Sequence, residues 1–195
     1  MVVSIEFCLE DPKGGVRFNT QSTPESSFKD FYLATVDHNS HYWFPCVNSY
    51  SELCTWKIEV VVEEDMSVIA SGSLIEVEDL GPIELLEADG NKEMGEIIKY
   101  NKYHYFLKTP TCAPNIGLVV GCFDTLADEN INEISYYYYS DLFELVKHTT
   151  SCLNEIFEFY EDIFSFQFQN FPYKQVFIHN LLEDSISFTG LTILK

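Results

Sequence analysis

The chain carries very little positive charge. Among its 195 residues, 11 are Lys or Arg and 31 are Asp or Glu, so the formal net charge is −20. Arg17 is the only arginine. Proteins that read duplex DNA directly neutralise its phosphates with clustered lysine and arginine. The sequence has no such cluster, so we expect no direct DNA contact from this chain.

Long apolar runs are also missing. The most apolar stretch, residues 116–123, has the length of one β-strand, whereas a membrane helix needs about 20 apolar residues. The N-terminus has no basic segment, and Glu6 interrupts its apolar part. Both features argue against a secretory signal peptide. We therefore expect neither a membrane span nor secretion.

The cysteines do not form a recognisable metal or redox motif. No two of them have the C-x-x-C spacing of zinc knuckles and dithiol oxidoreductases. The chain also lacks an N-x-[ST] glycosylation site. We interpret the cysteines as reduced, mostly buried thiols of a nuclear or cytosolic protein, with a disulfide framework as the alternative. They are Cys8, Cys46, Cys54, Cys112, Cys122 and Cys152.

Most of the first 125 residues have the pattern of β-strands. Apolar and polar residues alternate over 56–63 and again over 103–108, which is typical of half-buried strands. Residues 68–77 continue this pattern around Gly72. Several short strands separated by Gly and Pro predict an antiparallel sandwich.

Residues 76–96 are strongly acidic. They contain eight Asp or Glu residues and one basic residue, Lys92. We interpret this segment as a solvated loop, and an acidic docking segment is the alternative.

The pattern changes from strand to helix beyond residue 130. Apolar or small residues recur every three or four positions, which predicts one long helix over about 141–164. Asp141 is placed to cap this helix, with Glu144 in the capping-box position. Residues 174–179 predict a further strand, so the fold class is mainly β and then α+β. The stripe consists of Leu142, Leu145, Val146, Thr149, Leu153, Ile156, Tyr160 and Ile163.

Catalytic and metal-binding motifs are absent from the sequence. None of the histidines begins an H-E-x-x-H motif, and His38 and His41 have no evident third ligand. The chain has no G-x-S-x-G elbow, and its Gly14-Gly15 pair lacks the rest of a phosphate-binding loop. The run Tyr136–Tyr139 could stack on bases, but it lacks a basic groove, and an extended structural segment is the favoured interpretation. We therefore expect no catalytic, cofactor-binding or metal-binding residue.

One segment, YWFPCVNSYSELCTWK at 42–57, is distinctive. Taken by itself it predicts a hydrophobic loop that leads into a core strand. Its Phe-Pro-Cys string resembles the N-terminal β-domain of gluzincin zinc aminopeptidases. The fuller pattern closely resembles the family of subunit 2 of general transcription factor IID, a TATA-binding-protein-associated factor with an aminopeptidase-like scaffold. The motif residues are Trp43, Phe44, Pro45, Cys46, Cys54, Trp56 and Lys57.

The resemblance extends over nearly the whole chain and implies both fold and function. Residues 1–127 are expected to be part of an aminopeptidase-like N-terminal β-sandwich, with an acidic insertion at about 76–96. Residues 128–195 are expected to begin an inactive thermolysin-like domain. The implied function is a nuclear, non-catalytic scaffold in core-promoter recognition and pre-initiation complex assembly. The implied partners are other transcription factor IID subunits, and no cofactor, metal or membrane is implied.

One departure from the aminopeptidases bears on activity. If Gly190 is aligned with the glycine that follows the substrate-binding segment of active enzymes, the resemblance implies that Ser187 replaces the glutamate that holds the substrate amino terminus. A hydroxyl cannot supply the negative charge of that glutamate. Asn48 stands where the family usually has Asp. Two alternatives remain open: a fragment of an active zinc aminopeptidase, and a β-rich domain that folds alone.

Overall fold

The computed structural model describes residues 2–19, 32–82, 98–165 and 172–195. Within those ranges the chain forms three sheets and two α-helices. The strands are β1 (Val16–Asn19), β2 (Tyr32–Thr35), β3 (Cys54–Glu63), β4 (Ser67–Ala70), β5 (Ser73–Pro82), β6 (Lys99–Thr111), β7 (Leu118–Gly121), β8 (Asp124–Ala127), β9 (Ile134–Tyr138), β10 (Tyr173–Phe177), β11 (Ser185–Phe188) and β12 (Leu191–Leu194). The helices are α1 (Phe143–Thr150) and α2 (Leu153–Phe164).

The three sheets differ in strand direction. Sheet A has the order β1-β2-β7-β4, and sheet B has the order β3-β6-β5; both are antiparallel. Sheet C has the order β11-β12-β10-β9-β8. Its three inner strands are parallel, and an antiparallel strand lies at each edge. The predicted fold class, mainly β and then α+β, is confirmed.

Sheet A is the middle layer. Because successive side chains of a strand point to opposite faces, Val68 and Ala70 of β4 pack into the core shared with sheet B, whereas Ile69 packs into the core shared with sheet C. Val119 and Val120 of β7 divide between the two cores in the same way. The sequence around β7 is apolar throughout because both faces of this strand are covered.

Gly72 separates two strands that belong to different sheets. It lies between β4 of sheet A and β5 of sheet B, with φ +94°. A Cβ atom at this position would lie 2.6 Å from the carbonyl oxygen of Phe106. Only glycine combines a positive φ with so close an approach. The chain therefore crosses between layers here.

The run Tyr136–Tyr139 is extended, as its structural interpretation predicted. Tyr136 and Tyr138 pack into the core beneath α1, and Tyr137 packs against the core between sheets A and C. The run therefore contributes to both sides of sheet C.

The predicted single helix over 141–164 is wrong, because a break separates α1 from α2. Thr150 Oγ1 donates a hydrogen bond to Val146 O (2.8 Å), and Ser151 Oγ donates one to His148 O (2.8 Å). Hydroxyl groups that bond to carbonyls of the preceding turn compete with the helical backbone. These residues end α1 although the apolar periodicity continues.

The predicted capping box at Asp141 and Glu144 is also wrong. Leu142 occupies the N-cap of α1, and no side chain in the described residues caps this helix. Asp141 lies in a 3-10 turn, and its Oδ2 atom is 3.0 Å from His179 Nε2. A hydrogen bond to a distant part of the chain has replaced the local contact.

The acidic segment begins as a strand. Glu76, Glu78 and Asp79 belong to β5, so this part is not a loop. Residues 83–97 lie outside the described residues, and the loop and docking interpretations of that part stay predictions.

The structure bears on two further expectations. Neither α1 nor α2 has the length and apolarity needed to cross a bilayer.

The division into domains at residues 127 and 128 stays a prediction. β8 precedes that boundary and pairs with β9, so sheet C begins at Asp124.

Candidate functional site

The family-motif residues form a row of aromatic rings beside sheet B. Trp43 meets Phe44 edge to face, with ring centroids 4.5 Å apart, and Phe44 meets Trp56 in the same manner at 5.7 Å. Trp56 lies on β3 and donates a hydrogen bond from Nε1 to Thr111 O on β6 (2.8 Å). Edge-to-face pairs stabilise by about 1 kcal/mol beyond the area they bury. The row therefore fastens the loop before β3 to the sheet.

Trp43 is also held from the side of sheet A. It packs against the core between sheets A and B. A Cβ atom at Gly15 would lie only 2.6 Å from Trp43 Cδ1, and Gly15 has φ +75°. The glycine before β1 therefore makes room for this ring.

The other motif residues give no sign of a catalytic group. Cys46 is half-buried, and burial raises the pKa of its thiol, which disfavours the nucleophilic thiolate. Pro45, Cys54 and Lys57 are exposed. All six cysteines fall within the described residues, and no disulfide joins them. The motif is thus a packing element in which the aromatic rings make the contacts.

Ser187 lies in a neutral network of hydroxyl groups. On β11 it is exposed and faces Thr192 of β12, with 3.0 Å between the two side-chain oxygens. Tyr173 donates a hydrogen bond to Thr192 Oγ1 (3.0 Å), and Gln175 Nε2 donates one to Tyr173 (3.3 Å). These groups can donate and accept hydrogen bonds. They offer no negative charge to an ammonium group.

The two histidines weighed as metal ligands have different partners. The Nδ1 atom of His38 is 2.9 Å from Pro114 O, and its ring packs against Phe188. His41 is exposed and packs against the ring of Tyr42. Across residues 2–19, 32–82, 98–165 and 172–195, no three His, Cys, Asp or Glu side chains form a group that could hold a metal ion.

A cluster of charges lies on sheet B. His104 on β6 is 3.4 Å from Glu59 and 3.3 Å from Glu78 on the flanking strands. Lys102 Nζ is 2.7 Å from Glu59. The hydrogen bond and positive charge of Lys102 hold the pKa of Glu59 below its usual value. Because the cluster is solvated, its ion pairs contribute little to stability.

Sequence reasoning missed Lys174, which joins all three sheets. It lies on β10 of sheet C, and its side chain is buried. Its Nζ atom donates a hydrogen bond to Ala70 O on β4 (3.0 Å) and another to Gly72 O beside β5. The same atom lies 5.3 Å from the ring centroid of Tyr105 on β6.

Burial governs the ionisation of Lys174. It lowers the pKa of the ammonium group to about 8, because the charged form has lost its water. The sequence contained a signal that Lys174 is buried. Lys174 stands two residues before Val176 and therefore lies on the same face of β10, and Val176 is buried.

Comparison with known proteins finds relatives along essentially the whole chain. It is 36% identical over 198 residues to "Transcription initiation factor TFIID subunit 2" of Danio rerio, covering 100% of this chain. It is 34% identical over 196 residues to the protein of that name from Gallus gallus, covering 99% of the chain. For the Drosophila melanogaster protein of that name the identity is 33% over 196 residues, covering 98%. No family model matches the chain.

The chain spans only a small part of these relatives. The match covers 15% of the Danio rerio protein, 16% of the Gallus gallus protein and 15% of the Drosophila melanogaster protein. All three are named as subunits of a transcription initiation factor and not as enzymes.

Proposed function

The chain belongs to the family of transcription initiation factor TFIID subunit 2, and we propose on that premise that it acts as a non-catalytic scaffold in this factor. Its role is then in core-promoter recognition by the assembled factor and in assembly of the pre-initiation complex of RNA polymerase II. The observation that carries the proposal is the match at 33–36% identity along 98–100% of the chain. The proposed location is the nucleus, and the proposed partners are other subunits of the factor.

The surroundings of Ser187 support a non-catalytic role. An aminopeptidase of the gluzincin class needs a carboxylate where the substrate ammonium group binds, because the charge-assisted bond fixes the substrate. Ser187 and its partner Thr192 are neutral hydroxyls. The aminopeptidase-like character of the scaffold, with Ser187 at a degenerate substrate position, is part of the proposal.

The charge of the chain supports an indirect role at the promoter. A net charge of −20 opposes approach to phosphates, so we assign the DNA contacts to other parts of the factor. The motif residues Trp43, Phe44 and Trp56 then have a structural role, which is to fasten the loop before β3 to sheet B.

The proposal is tested by affinity purification of the tagged protein from nuclear extract, with co-purifying chains identified by mass spectrometry. We expect several other TFIID subunits in stoichiometric recovery. An unrelated tagged protein of similar net charge is the control for electrostatic capture. Recovery without any other subunit of the factor would contradict the proposal.

A peptidase assay distinguishes the enzymatic alternative. The purified protein is incubated with aminoacyl-amide substrates, with and without added Zn²⁺, and compared with the Ser187→Ala variant. We expect no hydrolysis above background from either protein. Zinc-dependent release of an N-terminal residue would favour the aminopeptidase alternative.

A further inference from the structure

α2 is attached to the rest of the fold along only one edge. Leu153 and Phe157, one turn apart, pack against the core beneath α1, and Phe157 meets the ring of Tyr173 edge to face. None of the residues of α2 is buried. The helix therefore uses a small part of its surface to bind sheet C.

The apolar surface of α2 continues beyond this edge and faces solvent in the described structure. Its members recur with the spacing i, i+3, i+4, i+7 and i+8, which places them on one side of a helix. We call this surface the α2 stripe. It consists of Ile156 (42% exposed), Phe159 (60%), Tyr160 (51%), Ile163 (57%) and Phe164 (69%).

The N-terminal part of the stripe borders a shallow hollow that is open to solvent. An open hollow of about 440 Å³ is lined by Cys152, Glu155, Ile156, Phe159 and Tyr160. The first four of these have the spacing i, i+3, i+4 and i+7. In knobs-into-holes packing, four residues with this spacing form the hole that accepts one side chain of the facing helix. Two aromatic contacts, Phe159 with Tyr160 and Tyr160 with Phe164, give the stripe a continuous surface.

The charge beside the stripe determines which kind of helix fits. α2 contains four acidic residues and no lysine or arginine. Glu155 and Asp162 are exposed and, at i−4 and i+3 from Phe159, flank the stripe. Pairing with a second copy would bring these carboxylates together in a molecule that already carries −20, which opposes association. A helix with lysine or arginine beside its apolar residues would gain instead.

We propose that the α2 stripe is a docking surface for a basic amphipathic helix of a partner protein. The partner's apolar residues fill the hollow and cover the aromatic rings of the stripe, as in other helix-in-groove complexes. Its basic side chains face Glu155 and Asp162. The inference goes beyond the proposed role in transcription initiation and does not depend on it, because it is drawn from the shape and charge of α2.

The test measures binding of a fluorescent synthetic peptide to the full 195-residue protein by anisotropy. The peptide has about three heptads, with leucine at the a and d positions and lysine beside them. A scrambled peptide of the same composition has the same charge, but its leucines no longer lie on one side of a helix. We expect saturable binding of the first peptide and at least about tenfold weaker binding of the second at about 0.15 M salt.

Matched variants locate the site. Phe159→Ser combined with Ile163→Ser should weaken binding at least about tenfold, as expected when central apolar contacts are removed. Leu182→Ser, at a leucine outside α2 that is 76% exposed, should leave the affinity unchanged. Neutralising Glu155 and Asp162 to the amides should weaken binding and reduce its salt dependence.

Three results would overturn the proposal. The first is equal affinity for the ordered and scrambled peptides, since it would reduce the interaction to net charge. The second is unchanged affinity in the Phe159→Ser/Ile163→Ser variant while circular dichroism shows an intact fold. The third is a dimer in light scattering that the same variant abolishes, since a second copy would then occupy the stripe.

Discussion

At the scale of single residues, Lys174 is the most unusual feature of the fold. A buried lysine normally pairs with a carboxylate, but the recorded contacts of its Nζ atom are two backbone carbonyl oxygens and the ring of Tyr105. Each contact belongs to a different strand or turn of sheets A and B. One side chain of sheet C thus holds the crossing between β4 and β5 in place.

The lowered pKa of Lys174 predicts how stability depends on pH. Its folded pKa of about 8 lies below the ordinary value of 10.5. Between these values the unfolded chain binds a proton that the folded chain has released, so the free energy of unfolding rises with pH. Between pH 8 and pH 10.5, the titration of Lys174 raises the free energy of unfolding by about 3 kcal/mol. Below pH 8 the fold bears the full cost of the buried charge.

Urea unfolding of the native protein and of Lys174→Met between pH 8 and 10.5 checks this prediction. As the pH rises, the free energy of unfolding of the native protein should increase relative to that of Lys174→Met, because the methionine side chain does not titrate. Lys57→Met, at an exposed lysine, is the matched control and should show no such trend. Parallel pH profiles for the native protein and Lys174→Met would contradict the assignment.

At the scale of elements, α1 and α2 have different relations to the core. Val146 of α1 is buried against sheet C. In α2, Leu153 and Phe157 make the contact with the core beneath α1. The other α2 residues of the apolar periodicity, Ile156, Tyr160 and Ile163, are exposed. Because a helix of twelve residues is marginal in water by itself, α2 depends on this narrow attachment.

We therefore expect Phe157→Ala to release α2 without unfolding the sheets. Amide hydrogen exchange, followed by mass spectrometry, should show faster exchange in α2 while β9 and β10 keep their protection. Phe159→Ala removes a ring of the same size from the exposed side of the same helix. This control should leave the protection of α2 unchanged. Equal effects of the two substitutions would show that Phe157 does not anchor the helix.

At the scale of the whole molecule, the net charge of −20 acts against the folded state. Like charges repel more strongly when the chain is compact. The sequence has 31 Asp or Glu and only 11 Lys or Arg, so there are too few lysines and arginines to pair with most of the carboxylates.

Raising sodium chloride from about 0.02 M to about 0.2 M should therefore raise the melting temperature, because the Debye length shortens from roughly 20 Å to roughly 7 Å. Differential scanning fluorimetry measures the shift. A variant with Glu144, Glu155 and Asp162 changed to the corresponding amides should melt higher in low salt and respond less to added salt. A melting temperature that falls with salt would mean that attractive ion pairs outweigh the repulsion.

Much of the secondary structure and the family membership followed from local sequence. The alternation in β3 and β6 is a property of strands with one covered face, and it can be read without knowing what covers that face. The string from Trp43 to Lys57 pointed to the TFIID subunit 2 family because its unusual residues stand together. The fold class followed from the order of these patterns.

The remaining features depend on contacts between distant residues. Asp141 has the right type and place for a helix cap, yet it pairs with His179, which lies 38 positions away. The apolar periodicity over 142–163 predicted one long helix, but the structure has two helices, and Ile156, Tyr160 and Ile163 of α2 are exposed. Periodicity reports which side of a helix is apolar and not what lies against it.

The sequence by itself therefore determined the acidic charge, the strand and helix periods and the family. Only the tertiary structure decided that sheet A lies between two others, that Lys174 is buried at their junction and that part of α2 has no cover in the described residues. The physical reason is that periodicity is a local property of the chain. Burial depends on which distant surfaces meet, and it sets the ionisation of Lys174 and the exposure of the α2 stripe.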